Sequence, residues 1–210
     1  MGYFPFFVDL EGKEGLIVGG GAVASRKIEK LAPYGPKLTV AAPVFDSEIR
    51  QMKGITLVEE PFSAGMLEGK YFAIAAADSS ELNRFVSRLC RERGILVNVA
   101  DDREACTFIF PSLVRKGKLS VGISTEGASP SAAIYMKDQI NRQIPKDFDK
   151  ILEFMESGRE RVMKQIPLEE QRSICLKTLF SMCLEKGRGL TEEEFSDVVS
   201  SCFREPQAPD

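Results

Sequence analysis

The sequence predicts an α/β fold: a mainly parallel sheet crossed by helices, then a small strand–helix segment, then an all-helical C-terminal region. Three observations predict it. Over the first half, short apolar runs alternate with amphipathic stretches, the order that builds a parallel sheet through right-handed crossovers. After about residue 105 this gives way to two apolar runs around a basic, glycine-containing turn. From Pro145 onward the pattern is helical throughout.

Taken in order, Gly15 to Val18 is a buried strand that runs into Gly19-Gly20-Gly21. The following helix has Val23, Ile28 and Leu31 among its apolar positions and stops near Gly35-Pro36. Leu38 to Ala42 is the second strand, closed by Pro43, and Asp46 is placed to cap a short helix. Ile55 to Val58 and Tyr71 to Ala77 are the third and fourth strands. Asp78 and Glu81 have capping-box spacing before a helix whose stripe Leu82, Phe85, Val86 and Leu89 should face the core. Ile95 to Val99 is the fifth strand, and Thr107 to Phe110 reads as another. Leu113-Val114 and Leu119 to Ile123 flank Arg115-Lys116-Gly117-Lys118 as a hairpin. Ser129 as N-cap and Pro130 as first helical residue open a helix with Ala133, Met136 and Ile140 on one side. Thr191 and Glu194 form a capping box before Phe195. The tail from Glu205 to Asp210 has two prolines and no apolar anchor, so it should fray.

Composition narrows the function. The chain has 210 residues, 43% of them hydrophobic, enough for one good core and a smaller annex. A net charge of −3 gives no global reason to bind nucleic acid or an anionic membrane. No apolar run approaches the roughly 18 residues of a membrane span. The N-terminus has no cationic stretch ahead of its apolar part and is a poor signal peptide, so the chain is expected in the cytoplasm. Five cysteines without a CxxC pattern indicate neither a disulfide scaffold nor a zinc site. Cys175 and Cys202 fall in register with apolar helix positions and read as small core residues. Histidine is absent, which excludes Ser-His-Asp and Cys-His catalysis. Proton chemistry near neutrality then falls to a carboxylate, Lys, Tyr, Cys or the substrate.

Gly19-x-Gly21-x-x-Ala24 follows a strand and opens a helix, the setting in which this spacing binds a dinucleotide. Gly19 permits the tight turn, Gly21 lets a pyrophosphate approach the backbone, and Ala24 allows close helix–strand packing. The helix N-terminus offers N–H groups and partial positive charge. Residues 1–112 are therefore expected to form a Rossmann-type nucleotide domain. The acid that usually contacts the ribose about 20 residues on is missing: the strand ends Thr39-Val40-Ala41-Ala42-Pro43. The loop does not decide between NAD and NADP.

Phe4-Pro5-Phe6-Phe7-Val8-Asp9-Leu10 leads into Leu16-Ile17-Val18-Gly19-Gly20-Gly21-Ala22-Val23-Ala24-Ser25-Arg26-Lys27. Later come Ala75-Ala76-Ala77-Asp78 with Asn83, and Val97-Asn98-Val99-Ala100-Asp101-Asp102. Phe108-Ile109-Phe110-Pro111-Ser112 and Ile123-Ser124-Thr125-Glu126-Gly127-Ala128-Ser129-Pro130 follow. Over residues 3–145 this series resembles the precorrin-2 dehydrogenase family, including the dehydrogenase/ferrochelatase part of siroheme synthases. The resemblance implies NAD-dependent oxidation of precorrin-2 to sirohydrochlorin, with NAD as cofactor. In some members it also implies ferrous iron as a substrate for chelation. It implies a homodimer, with 113–145 as the dimerisation segment and 146–210 as the helical C-terminal region. Fused siroheme synthases carry a methyltransferase domain for which this length leaves no room, so the chain is not expected to make precorrin-2 itself.

Carried over residue by residue, the resemblance assigns Gly19, Gly21, Ala22, Val23, Pro43 and Val44 to NAD and the catalytic aspartate to Asp101. From the residues alone, Asp101 also reads as a turn-capping aspartate. A tetrapyrrole rich in carboxylates needs hydroxyls, N–H groups or cations around it. Ser124, Thr125 and Ser129 with a helix N-terminus supply the first two, and Arg115, Lys116, Lys118, Lys137 and Arg142 lie in the same segment. Two other readings stay open. One is a non-enzymatic NAD-sensing module that regulates a partner; the other is a dehydrogenase of a different small substrate.

Overall fold

Five strands form a parallel sheet in the order β3–β2–β1–β4–β5. They are β1 (Glu14–Val18), β2 (Lys37–Ala41), β3 (Ile55–Val58), β4 (Phe72–Ala75) and β5 (Leu96–Val99). The helices α1 (Ala22–Leu31), α2 (Ser47–Gln51) and α3 (Ser80–Glu92) accompany them. The computed structural model describes residues 2–202, so the tail from Glu205 lies outside the described residues. The chain divides into two compact units, residues 1–110 and 111–210.

Both faces of the sheet are covered, which is why its strands read as unbroken apolar runs. On one face Leu16, Val18, Ala73, Ala75, Val97 and Val99 pack with Val86 and Cys90 of α3. On the other, Ile17, Val40, Phe72 and Ile74 pack with Ala24, Ile28 and Leu31 of α1. Val18 lies level with Ala41 and Ala75, and Ala75 with Val99. The carboxyl ends of β1, β2, β4 and β5 therefore finish on one rim. The chain order reverses at β1, between β2 and β4, which makes that rim a ligand crevice.

Three expectations need correction. The cap of α3 is Ser79, whose hydroxyl accepts from the Leu82 amide at 3.2 Å, and not Asp78. The buried face of α3 is Asn83, Val86, Ser87 and Cys90, while Phe85 is 38% exposed. Two polar residues can enter that face because loops satisfy them. Asn83 exchanges two hydrogen bonds with the Ala77 backbone, at 3.0 and 2.8 Å, and the Ser87 hydroxyl donates to the Ala105 carbonyl. Residues 107–110 form no strand. The segment follows β5 through mixed contacts: the Thr107 amide donates to the Val97 carbonyl at 2.8 Å, and the Val97 amide to the Thr107 hydroxyl at 2.7 Å.

The second unit begins with an antiparallel hairpin of β6 (Ser112–Lys116) and β7 (Leu119–Ile123), as the sequence predicts. Helices α4 (Pro130–Gln143), α5 (Phe148–Gln165), α6 (Glu169–Lys186) and α7 (Glu192–Cys202) follow. On α4, Ala133 is buried and Ile140 half-buried, but Ile134, Tyr135 and Met136 are exposed. Cys175, Leu179 and Cys183 pack against Ile151, Val162 and Phe195, the core role expected of the helical cysteines. Arg161 ties α5 to α7, pairing with both oxygens of Glu192 at 2.9 and 2.6 Å and lying 3.8 Å over the Phe195 ring.

The capping box of α7 forms as read: the Thr191 amide donates to Glu194 at 2.8 Å and the Glu194 amide to the Thr191 hydroxyl at 3.3 Å. Glu194 also pairs with Arg188 and Lys186. The bond from Arg188, then the Thr191 amide, then Lys186 hold its carboxyl far below the ordinary value of 4.5. Folding thus lowers the carboxyl's proton affinity, so its stabilisation is complete above 4.5 and is lost as pH falls through the depressed folded value. Glu194→Gln is expected to melt at a lower temperature than the unaltered chain at pH 7, with the gap closing in acid. Circular dichroism melts across that range test it; a constant gap would mean the charge is not what stabilises the cap.

Candidate functional site

The three glycines after β1 do different work. Gly19 has φ 134°, and a Cβ on it would lie 2.2 Å from the Ala76 carbonyl oxygen. A Cβ on Gly20 would lie 2.0 Å from the Val44 carbonyl oxygen. These two are glycine because backbone passes too close for a side chain. Gly21 has an ordinary extended backbone, φ −101° and ψ −172°, and a Cβ there would meet nothing nearer than Asp46 Oδ2 at 3.9 Å. Nothing in the described chain requires glycine at 21; the open space over it is what an approaching pyrophosphate needs.

Gly21 is also the N-cap of α1, and no side chain caps that helix, so its first-turn amides, Ala22 and Val23 among them, face the loop opening. Ala24 is fully buried against the sheet, as its motif position demands. At the tip of β2, Pro43 and Val44 are exposed, Val44 by 72%. Gly19, Gly21, Ala22, Val23, Pro43 and Val44 are thus gathered around one end of the sheet. Open cradle, uncapped amides and apolar tip fit a nicotinamide dinucleotide.

The sequence read Asp46 as a helix cap and found no acid at the tip of β2. In the structure Asp46 holds the N-cap position of α2, but its side chain makes no capping bond. Its amide donates to the Gly20 carbonyl at 2.8 Å, which turns the residue toward the glycine loop. This acid stands five residues after the strand ends.

Asp101 follows β5 on the same rim. It is exposed and adopts φ 60°, a region that Asp enters more readily than most residues. The turn-capping role open to it belongs to its neighbour. Asp102 accepts from the Ala105 amide at 3.2 Å and from Arg84 at 2.8 Å. The Arg84 bond, then the Ala105 amide, lower the Asp102 carboxyl. Asp101 lines a cleft of about 280 Å³ with Ser80, Asn83, Arg84, Ala100 and Asp102 itself.

Two further residues of this corner escaped the sequence reading. The buried Cys106 thiol accepts from the Val99 amide at 3.1 Å and lies 3.2 Å from the Asp102 carbonyl, so it fastens the turn on both sides of Asp101. Lys27 of α1 donates to the Asn98 side chain at 3.1 Å and lies 3.9 Å over the Phe110 ring. Burial, then the nearby Lys30, push its ammonium down to about 8. Lys27 closes the glycine-loop stretch and Cys106 stands outside the motifs read, and only the fold brings the two to this corner.

Ser124, Thr125 and Ser129 lie in the second unit, and each hydroxyl is used locally. Ser124 accepts from the Glu126 amide, Thr125 donates to the Ser129 carbonyl, and Ser129 caps α4 by accepting from the Ala132 amide at 3.1 Å. Among the nearby bases, Lys116 donates to the Pro145 carbonyl and Lys118 pairs with Glu156. Lys137 and Arg142 are exposed. No helix in the described chain is long and apolar enough to cross a membrane.

Comparison with known proteins agrees with this geometry. A family model described as putative NAD(P)-binding matches residues 6–112. The siroheme synthase of Thioalkalivibrio sulfidiphilus is 36% identical over 175 residues, covering 82% of this chain and 36% of that protein. The siroheme synthase of Nitrosococcus oceani is 33% identical over 207 residues, covering 97% of this chain and 44% of its own. The chain thus spans less than half the length of these curated relatives. A solved structure titled SirC, precorrin-2 dehydrogenase superposes with a TM-score of 0.76 over 95% of this chain and all of that one, at 22% identity. The siroheme synthases bear out the resemblance read from the motifs, and the superposed structure agrees with the fold. With the glycine loop in place on the rim and the family model spanning half its length, the chain belongs to the putative NAD(P)-binding family.

Proposed function

We propose that this chain oxidises precorrin-2 to sirohydrochlorin with NAD as hydride acceptor. One observation carries the reading: Asp101 lines an open cleft at the carboxyl end of β5, on the rim that holds the glycine loop, and of the two aspartates in that lining it is Asp102 that is bound to the Ala105 amide and to Arg84. The names of the siroheme synthases and of the precorrin-2 dehydrogenase support the substrate class.

In this reading Gly19, Gly21, Ala22 and Val23 hold the pyrophosphate, with Pro43 and Val44 lining the adenosine side. The bound dinucleotide supplies the acceptor for the hydride that leaves a carbon of the macrocycle. The proton released with it goes to an Asp101 carboxylate oxygen and from there to water, which restores the base. Ser124 and Ser129 accept within their loop and keep their hydroxyl protons for substrate carboxylates. Thr125 shapes that loop, and Lys137 and Arg142 add positive charge. Where ferrous iron is a second substrate, the same aspartate orients the incoming ion. The exposed Ile134, Tyr135 and Met136 support a homodimer through helix α4. Five free cysteines suit the reducing cytoplasm.

The test is anaerobic incubation with enzymatically generated precorrin-2 and NAD, followed by absorbance, with ferrous iron added afterwards. Sirohydrochlorin formed only with NAD is the expected result. Faster iron insertion than in a protein-free control adds the chelatase. A folded, NAD-bound protein that makes no sirohydrochlorin would overturn the reading in favour of a nucleotide sensor.

A further inference from the structure

The glycine loop lacks its usual acidic partner at the end of β2, yet a carboxylate lies beside it. Asp46 Oδ2 stands 3.9 Å from the point a Gly21 Cβ would occupy. The residue is pinned there by the bond from its amide to the Gly20 carbonyl. Its side chain leaves α2 uncapped, an unusual outcome for an aspartate at an N-cap. Among the described residues it has no side-chain hydrogen bond or ion pair. The next acid along, Glu48, is committed, accepting from the Ser25 hydroxyl at 3.2 Å. Asp46 is therefore the carboxylate left facing the adenosine side of the loop.

We propose that Asp46 receives the adenosine ribose hydroxyls and makes this chain select NAD over NADP. The inference rests on the dinucleotide reading of the glycine loop. A carboxylate accepts two hydrogen bonds from a ribose diol, and the same charge repels a 2′-phosphate. The cation that would have to offset that repulsion is occupied: Arg50, one turn along α2, pairs with Glu59 and lies over the Phe45 ring. The ribose acid has moved from the strand tip to the start of the next helix, and the backbone bond to Gly20 returns it to the loop.

Calorimetric titration of the purified chain with NAD and with NADP tests this without any tetrapyrrole. The unaltered chain is expected to bind NAD about 10- to 100-fold tighter than NADP, the range for hydrogen bonds to a charged acceptor. Asp46→Asn removes the charge, keeps the shape and the backbone bond, and is expected to weaken NAD and close most of that gap. Asp46→Ser, which makes room for a phosphate, should close it further. Equal affinities in the unaltered chain, or full discrimination retained by both variants, would overturn the role of Asp46 while leaving the glycine loop standing. Binding of neither dinucleotide by a folded chain would remove the loop assignment, and the ribose role with it.

Discussion

Asp101→Ala is expected to bind NAD as the unaltered chain does while precorrin-2 oxidation slows by about 10²- to 10⁴-fold, the range for loss of a positioned general base. The effect should fall on turnover because Asp101 is exposed and follows β5, on a different loop from the glycines proposed to hold the dinucleotide. Stability should change little, because Asp102, Ser87 and Cys106 keep the turn closed. The positive φ of 60° is the complication, since Ala enters that region less readily than Asp. Asp101→Asn separates the two effects, as Asn tolerates the backbone and lacks the negative charge. Turnover and calorimetric NAD affinity, measured on both variants, decide the matter. Normal turnover by Asp101→Asn would take the base role away from this residue.

The second large effect is a contrast between two glycines of one loop. Gly21→Val should lower the melting temperature only slightly, Val being a poorer N-cap than Gly, and weaken NAD by about 100-fold or more. A side chain in the open space displaces the pyrophosphate from at least two charge-assisted bonds. Gly19→Ala should do the reverse in kind, lowering stability by about 1–3 kcal/mol from backbone strain alone. A collision at 2.2 Å with the Ala76 carbonyl adds to that. Thermal melts and NAD titrations on the same preparations separate the two. A Gly21→Val protein that binds NAD normally would discard the loop assignment.

Much of this was legible in the sequence, for physical reasons that also explain what was not. The sheet could be read because strands buried on both faces must be continuously apolar, as Leu16-Ile17-Val18 and Phe72-Ala73-Ile74-Ala75 are. The core face of α3 could not. Asn83 and Ser87 are buried because Ala77 and Ala105 supply partners, and no periodicity encodes a loop that folds back. Residues 107–110 carry the β-branched and aromatic residues of a strand, yet the Thr107 hydroxyl takes the place of a ladder acceptor. At the site, the position of Asp101 was visible, but the transfer of the capping role to Asp102 was not. The approach of Asp46 depended on a backbone bond to Gly20 that leaves no mark in the residue types.

The cradle of the glycine loop is held chiefly by backbone: Ala76 against Gly19, Val44 against Gly20, and the Asp46 amide on the Gly20 carbonyl. Its shape is therefore part of the folding free energy, and a ligand meets it already ordered. This divides the selective pressures along three consecutive codons. A descendant that abandoned the nucleotide would still keep Gly19 and Gly20, because losing them unfolds the crevice. Only Gly21 would be free to drift. Among distant homologues that have kept the fold, a side chain at that one position would mark a lineage in which the fold has outlived its chemistry.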